Sequence, residues 1–284
     1  MKKYYSLAKP GLVYGNLIPL IGGFALASRG ITGAVDWPVL AAALVGLALV
    51  MASACVFNNY IDRGIDAAMA RTKERPLVTG AVSARAALVF GSVLGAAGFA
   101  MLYIGVNAIA GDVAAAGFLA YIFLYSAAKR ATVHGSLVGS LAGAVPPVVG
   151  YAAAAGRLDP AAGILFLIMV FWQMPHFLSI AIYRAGDYAA AGIPVYPVAR
   201  GMQKTKALIV AYAAAFAVVA PSPYFIGAAG PIYGIIAAVL GIVWLVLAVR
   251  LYFARDGEEQ QARLLFFASL AVMVLLFAAI AIGP

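Results

Sequence analysis

Long apolar runs separated by short polar stretches dominate the chain. Nine can be marked, near residues 11–28, 38–58, 85–106, 113–128, 135–155, 161–182, 207–225, 231–250 and 264–282. A helix needs about 20 apolar residues to cross a hydrocarbon core of about 30 Å, and most of the runs meet that length. They are rich in Ala, Leu and Gly and lack the period-two alternation of a barrel strand. The pattern predicts an all-α polytopic membrane protein of about nine transmembrane helices. The fourth run is short and the seventh stops at Pro221, so apolar length alone also allows eight.

Composition agrees with a membrane setting. The 284 residues are 65% hydrophobic and only 10% charged, against roughly 25% charged in soluble domains. So few charges leave most of a water-facing surface uncovered. The formal net charge of +9 raises nucleic acid as a partner, but the distribution argues for no nucleic acid. With the N-terminus cytoplasmic, Lys2, Lys3 and Lys9 fall inside, as do Arg63, Arg71, Lys73, Arg75 and Arg85. Lys129, Arg130, Arg184, Arg200, Lys204, Lys206, Arg250, Arg255 and Arg263 follow. That places 17 of the 19 basic residues inside and leaves Arg29 and Arg157 outside. This asymmetry is the positive-inside pattern, and losing one span would scramble it, which favours nine.

The start of the chain resembles a secretory leader, but Pro10, Asn16 and Pro19 interrupt its apolar stretch and eight more spans follow. A missing Arg- and Ser-rich leader points to a bacterial inner membrane rather than a mitochondrial one. Cys55 is the single cysteine, so no internal disulfide forms, and it is expected to pack within the second span. No linker or soluble domain interrupts the chain, so residues 1–284 read as one membrane domain. Asp62 and Asp187 each follow an even-numbered span, a faint hint of two four-helix halves. No charged residue falls in the middle of a run, which weakens an ion-coupled transporter.

Chemistry gathers in the first inside loop, 58–80, NNYIDRGIDAAMARTKERPLVTG. Asn58, Asp62 and Asp66 recur every four residues. If the second span continues helically, they share one face. Two carboxylates and an amide oxygen suit Mg²⁺, which completes its shell with water and substrate phosphate. Arg71, Lys73 and Arg75 follow at once, and guanidinium groups grip phosphate oxygens. Solvated loop ion pairs are the bland alternative; the spacing at a bilayer-proximal helix end favours a metal–diphosphate site. An allylic diphosphate bound there would ionise to an allyl cation, and Tyr60, Tyr121, Phe123 and Tyr125 are nearby candidates to face it.

These residues resemble the UbiA superfamily of intramembrane prenyltransferases, and more narrowly the heme O synthases, over nearly the whole chain. The resemblance rests on KPGLVYGNLIPLIGG at 9–23, NNYIDRGID and MARTKERP within 58–76, and YSAAKR at 125–130. It continues in GSLVGSLAGAVPPVVGY at 135–151, WQMPHF at 172–177 and DYAAAGIPVYPVARG at 187–201. It implies a UbiA-type helical bundle that transfers a farnesyl group from farnesyl diphosphate to a vinyl group of heme B, with water addition, at the cytoplasmic face. By the same resemblance Asn58, Asp62 and Asp66 hold Mg²⁺ and carry catalysis, while Arg71, Lys73 and Arg75 bind diphosphate with Lys129 and Arg130. Tyr125 lines the substrate site, and Asp187 completes its rim from the opposite half. The residue four beyond Asp187 is Ala191, so the second acidic pair of many superfamily members is missing, as in heme O synthases; a second Mg²⁺ is left open. Gly64 stands where the family often has another acid, and Val195-Tyr196 where leucine-type residues are common. Heme A synthase or terminal oxidase assembly factors are the docking partners that the family suggests.

Three residues keep two readings each. His176, about 10 Å from the inner end of the sixth span, either contacts heme or bonds a carbonyl freed by Pro175. Lys129 and Arg130 either mark topology or pair heme propionates or diphosphate. His134 reads as a surface residue, and Pro146-Pro147 should kink the fifth span. Two other functions compete: a sister prenyltransferase with a quinone-precursor or aromatic acceptor, and a transporter of an anionic lipid or metabolite.

Overall fold

The computed structural model describes residues 2–282. Among them are nine helices long and apolar enough to cross a membrane. They are α1 (Pro10–Gly30), α2 (Trp37–Ala68), α3 (Ala84–Gly105), α4 (Ala108–Ala131), α5 (Gly135–Ala155), α6 (Pro160–Tyr183), α7 (Met202–Phe225), α8 (Pro231–Phe253) and α9 (Glu258–Ala281). No strand occurs among the described residues. Short helices precede α1 (Lys2–Leu7) and link α6 to α7 (Ala185–Ala190 and Tyr196–Arg200).

Helix starts follow local chemistry. Asp36, Ser83, Asn107 and Asp159 each accept a backbone N–H at the first turn of α2, α3, α4 and α6, satisfying donors that a helix leaves open. The helices run longer than the apolar runs in several places, by most in α2, which continues to Ala68. The short fourth run becomes a 24-residue helix through a wide π-helical turn at Ala120–Tyr125. The seventh begins at Met202 and the ninth at Glu258 because buried Lys206 bonds Glu258 Oε1 at 2.6 Å and Ala254 O at 2.8 Å. In the fifth, the helix breaks at Ala144, just before Pro146-Pro147, as the kink expectation holds.

Small residues let the helices approach closely. On α3, a Cβ at Gly98 would collide with the backbone of Gly46 and Val50 on α2. Between α1 and α5, Gly23 meets Pro147 and Gly150 meets Leu20, backbone to backbone. One apolar core joins α6, α7, α8 and α9 to residues of α1 and α5, and a second joins α1 to α5. Between them lies a cavity of about 450 Å³, lined by α1, α2, α4, α5, α6 and α9.

The longest helix is α2. At 32 residues it measures about 48 Å, more than the hydrocarbon core needs. Its last three turns therefore project beyond the apolar slab, at the end of the bundle where the basic loops gather.

Candidate functional site

The helix continues through Ala68, so Asn58, Asp62 and Asp66 do share one face. That face points inward: the three residues are 2%, 1% and 4% exposed, while Arg63 lies on the solvated side against Tyr60. Burying two carboxylates is costly unless they are paired. Each is paired. Asp62 meets Lys129 Nζ at 2.5 Å and Arg130 at 3.3 Å, both from the last turn of α4. Asp66 meets Arg75 at 2.6 Å.

The loop after α2 is folded back to make that second contact. The Thr72 hydroxyl donates to Asp66 O at 2.9 Å, which turns the chain so that Arg75 reaches both Asp66 and Asn59 Oδ1, the latter at 3.1 Å. Asn59 in turn donates to Leu7 O, tying down the N-terminal helix. Arg71 and Lys73 remain exposed at the rim, with no ion pair among the described residues.

Asn58 sits at the centre of a second layer. Its amide donates to Asp62 Oδ2 at 2.8 Å, and its Oδ1 accepts from Lys9 Nζ at 2.9 Å and from Tyr121 O–H at 3.3 Å. Lys9 adopts a left-handed backbone (φ 49°) immediately before Pro10, a conformation costly for a residue with a Cβ. Burial brings its ammonium pKa down to about 8, and the Arg75 charge adds to the shift while Asp62 opposes it. Sequence reading missed Lys9 as a site residue, because nothing local marks a lysine 49 positions before its partner.

Tyr121 and Tyr125 stack with ring centroids 5.3 Å apart, and Lys129 Nζ lies 5.7 Å from the Tyr125 ring. Both rings lie in the π-helical turn. Phe123 faces outward and Tyr60 holds Arg63, so neither joins the cluster. Asp187 makes no bond to the cluster among the described residues; it meets Arg184 at 3.5 Å on its own loop. Its neighbour Tyr188 approaches the first loop instead; burial raises its hydroxyl pKa, while the charge of Arg71 works the other way.

Tyr121 and Cys55 connect this polar cluster to the cavity, since both line it. The remaining lining is mostly apolar, with Asn16, Gln173 and His176 as polar exceptions. His176 does not bond a freed carbonyl: its Nδ1 meets Ser269 Oγ at 2.7 Å. His134 is exposed, as expected.

The donor set fits Mg²⁺ in chemistry, with two buried carboxylates and an amide on one helix face. Among the described residues no group of three or more His, Cys, Asp and Glu gathers, so substrate phosphate and water would complete the shell.

Comparison with known proteins adds a lineage. Residues 16–270 match the model of the UbiA prenyltransferase family. A protoheme IX farnesyltransferase from Yersinia enterocolitica is 46% identical over 96% of this chain and 91% of its own length. Protoheme IX farnesyltransferase 2 from Chromobacterium violaceum is 49% identical over 95% of this chain and 88% of its own length. A UbiA homologue from Archaeoglobus fulgidus, solved bound to GPP and Mg²⁺, superposes with a TM-score of 0.71 at 20% identity, covering 99% of this chain and 100% of that one. The nine-helix bundle, its buried acidic face and the family match over most of the length agree: the chain belongs to the UbiA prenyltransferase family, in its protoheme IX farnesyltransferase branch.

Proposed function

We propose that this protein transfers the farnesyl group of farnesyl diphosphate to a vinyl group of heme B, with addition of water, giving heme O and diphosphate. The observation that carries the reading is the continuity of the site. A charged cluster shaped for diphosphate opens through Tyr121 and Cys55 into an apolar cavity shaped for a tail and a flat acceptor.

In this reading the whole chain forms one intramembrane domain. Asn58, Asp62 and Asp66 hold Mg²⁺, which when bound stabilises negative charge on the departing diphosphate. Arg75, Lys129, Arg130 and Lys9 already point into the cluster. They exchange carboxylate and amide partners for phosphate oxygens as substrate enters. Arg71 and Lys73, exposed at the rim, add charge that draws the diphosphate in. The stacked Tyr121 and Tyr125 present π-faces beside the allylic carbon as it becomes cationic. The apolar lining of the cavity keeps water scarce around that cation until the vinyl carbon attacks. Asp187, paired with Arg184, has the lesser role of holding the opposite loop.

The basic end of the bundle faces the cytoplasm of a bacterial inner membrane, which the charge asymmetry supports. Diphosphate, a water-soluble product, would leave on that side. The 46–49% identity to protoheme IX farnesyltransferases supports heme B as acceptor, and the Mg²⁺-bound homologue supports the metal.

The test is diphosphate release by the purified protein. Release from farnesyl diphosphate should require both Mg²⁺ and heme B. Release without any acceptor, or movement of farnesyl diphosphate across vesicles with no release, would remove the reading.

A further inference from the structure

Two polar side chains of α6 face the cavity with their acceptor atoms free. Gln173 is almost fully buried, and its Nε2 donates to Ser140 O at 3.3 Å and Met169 O at 3.2 Å. Two carbonyl partners fix the amide orientation, since the flipped group would set oxygen against oxygen. The Oε1 therefore has no protein donor among the described residues. It rests against Gly143, where any Cβ would collide with it, and Gln173 and Gly143 both line the cavity.

His176 lies one turn further along the same helix face, with Cβ atoms of such a pair about 5–6 Å apart. Its ring is held on both sides, by Trp172 at 4.9 Å and by Phe266 at 4.8 Å between centroids. The tautomer follows from Ser269. That hydroxyl has one proton, and it donates it to Phe266 O at 2.5 Å. Its oxygen must then accept from His176 Nδ1–H, at 2.7 Å. Nε2 is left with a lone pair and no protein partner among the described residues, on a ring that lines the cavity.

Two acceptors on adjacent turns, both facing one cavity, suit a ligand with two donors. Water has two O–H groups and lone pairs on the side away from them. We propose that Gln173 Oε1 and His176 Nε2 hold the water that is added to the porphyrin side chain, with His176 as its base. An iron ligand would require Nε2 alone and would leave Oε1 idle; a held water uses both.

The proposal rests on the farnesyl transfer proposed above. In it, the C1–O bond of farnesyl diphosphate breaks and the pair of electrons leaves with diphosphate. The terminal vinyl carbon bonds to C1, and the cation moves to the carbon next to the porphyrin. The water oxygen bonds to that carbon, and the water proton passes to His176 Nε2. The product is the hydroxyethylfarnesyl group. Without a positioned water, the same cation loses a proton from the neighbouring carbon and gives an alkene lighter by one water.

The experiment compares products of purified wild type, Gln173→Met and His176→Phe given heme B, farnesyl diphosphate and Mg²⁺. Products are compared at equal amounts of diphosphate released, so that only the fate of the cation is read. The ratio of hydrated to alkene product should fall roughly 100-fold in His176→Phe, the scale of a lost general base, and about tenfold in Gln173→Met. Unchanged ratios in both overturn the proposal. So does a changed heme absorption spectrum in His176→Phe alone with the ratio intact, which would identify an iron ligand. A measurement on wild type needs no variant: with methanol present, a held water predicts almost no methyl ether. Ether formed in proportion to methanol overturns the proposal. If wild type makes no farnesylated porphyrin at all, the transfer reading itself has failed, an outcome separable from the others.

Discussion

Lys129 Nζ lies 2.5 Å from Asp62 Oδ2, joining the last turn of α4 to the inward face of α2 across 67 residues of chain. Asp62 is 1% exposed, and Lys129 and Arg130 both address it. The carboxylate is thus held by two cations with little access to water, ready to exchange cation partners. Asp62→Ala should therefore lower diphosphate release by roughly 100-fold or more. Asp66→Ala should do the same, with elution from a sizing column in detergent unchanged. Retained turnover in both variants would put the metal elsewhere.

Lys9 addresses the same cluster from the other side, through Asn58. A hydrogen bond to a charged group is worth about 1.5–3 kcal/mol, so Lys9→Met should raise the KM for farnesyl diphosphate at least tenfold. The acceptor KM should change little. Equal effects on both substrates would assign Lys9 a structural rather than a diphosphate-binding role.

Tyr121→Phe keeps the stack on Tyr125 but removes the hydroxyl that reaches Asn58. The loss of one neutral hydrogen bond, about 1 kcal/mol, predicts a fall of about fivefold in kcat/KM. Tyr121→Leu, which also removes the π-face, should cost considerably more. Equal losses would show that the ring contributes nothing to the cation.

Gly98→Val tests packing rather than chemistry. Its side chain would meet the α2 backbone at Gly46 and Val50. Overpacking of this kind costs about 1–3 kcal/mol, seen as a lower unfolding temperature in detergent. An unchanged melt would mean that α2 and α3 can separate freely.

Much of the bundle and its acidic face is legible in the chain. Apolar run length locates the spans, because crossing a bilayer demands it, and the i, i+4, i+8 spacing locates the acidic face, because helical geometry is local. Arg75 is legible for the same reason, being nine residues from Asp66. What escapes is long-range. The partnership of Lys9 with Asn58 and that of Tyr121 with Asn58 depend on how helices far apart in sequence are packed. Asp187 is expected at the site by resemblance, yet a short helix at Ala185–Ala190 turns it toward Arg184, a local competitor three residues away. Lys206 reads as a cytoplasmic marker, but it is buried against Glu258 and carries the starts of α7 and α9 inward.

Farnesyl transfer to heme is decided by the mass of the porphyrin recovered after the purified protein is incubated with heme B, farnesyl diphosphate and Mg²⁺. The expected product is heme that has gained one farnesyl group and one hydroxyl, with an equal amount of diphosphate released. Recovery of unmodified heme only, or farnesylation instead of an aromatic acceptor supplied in the same incubation, would contradict it.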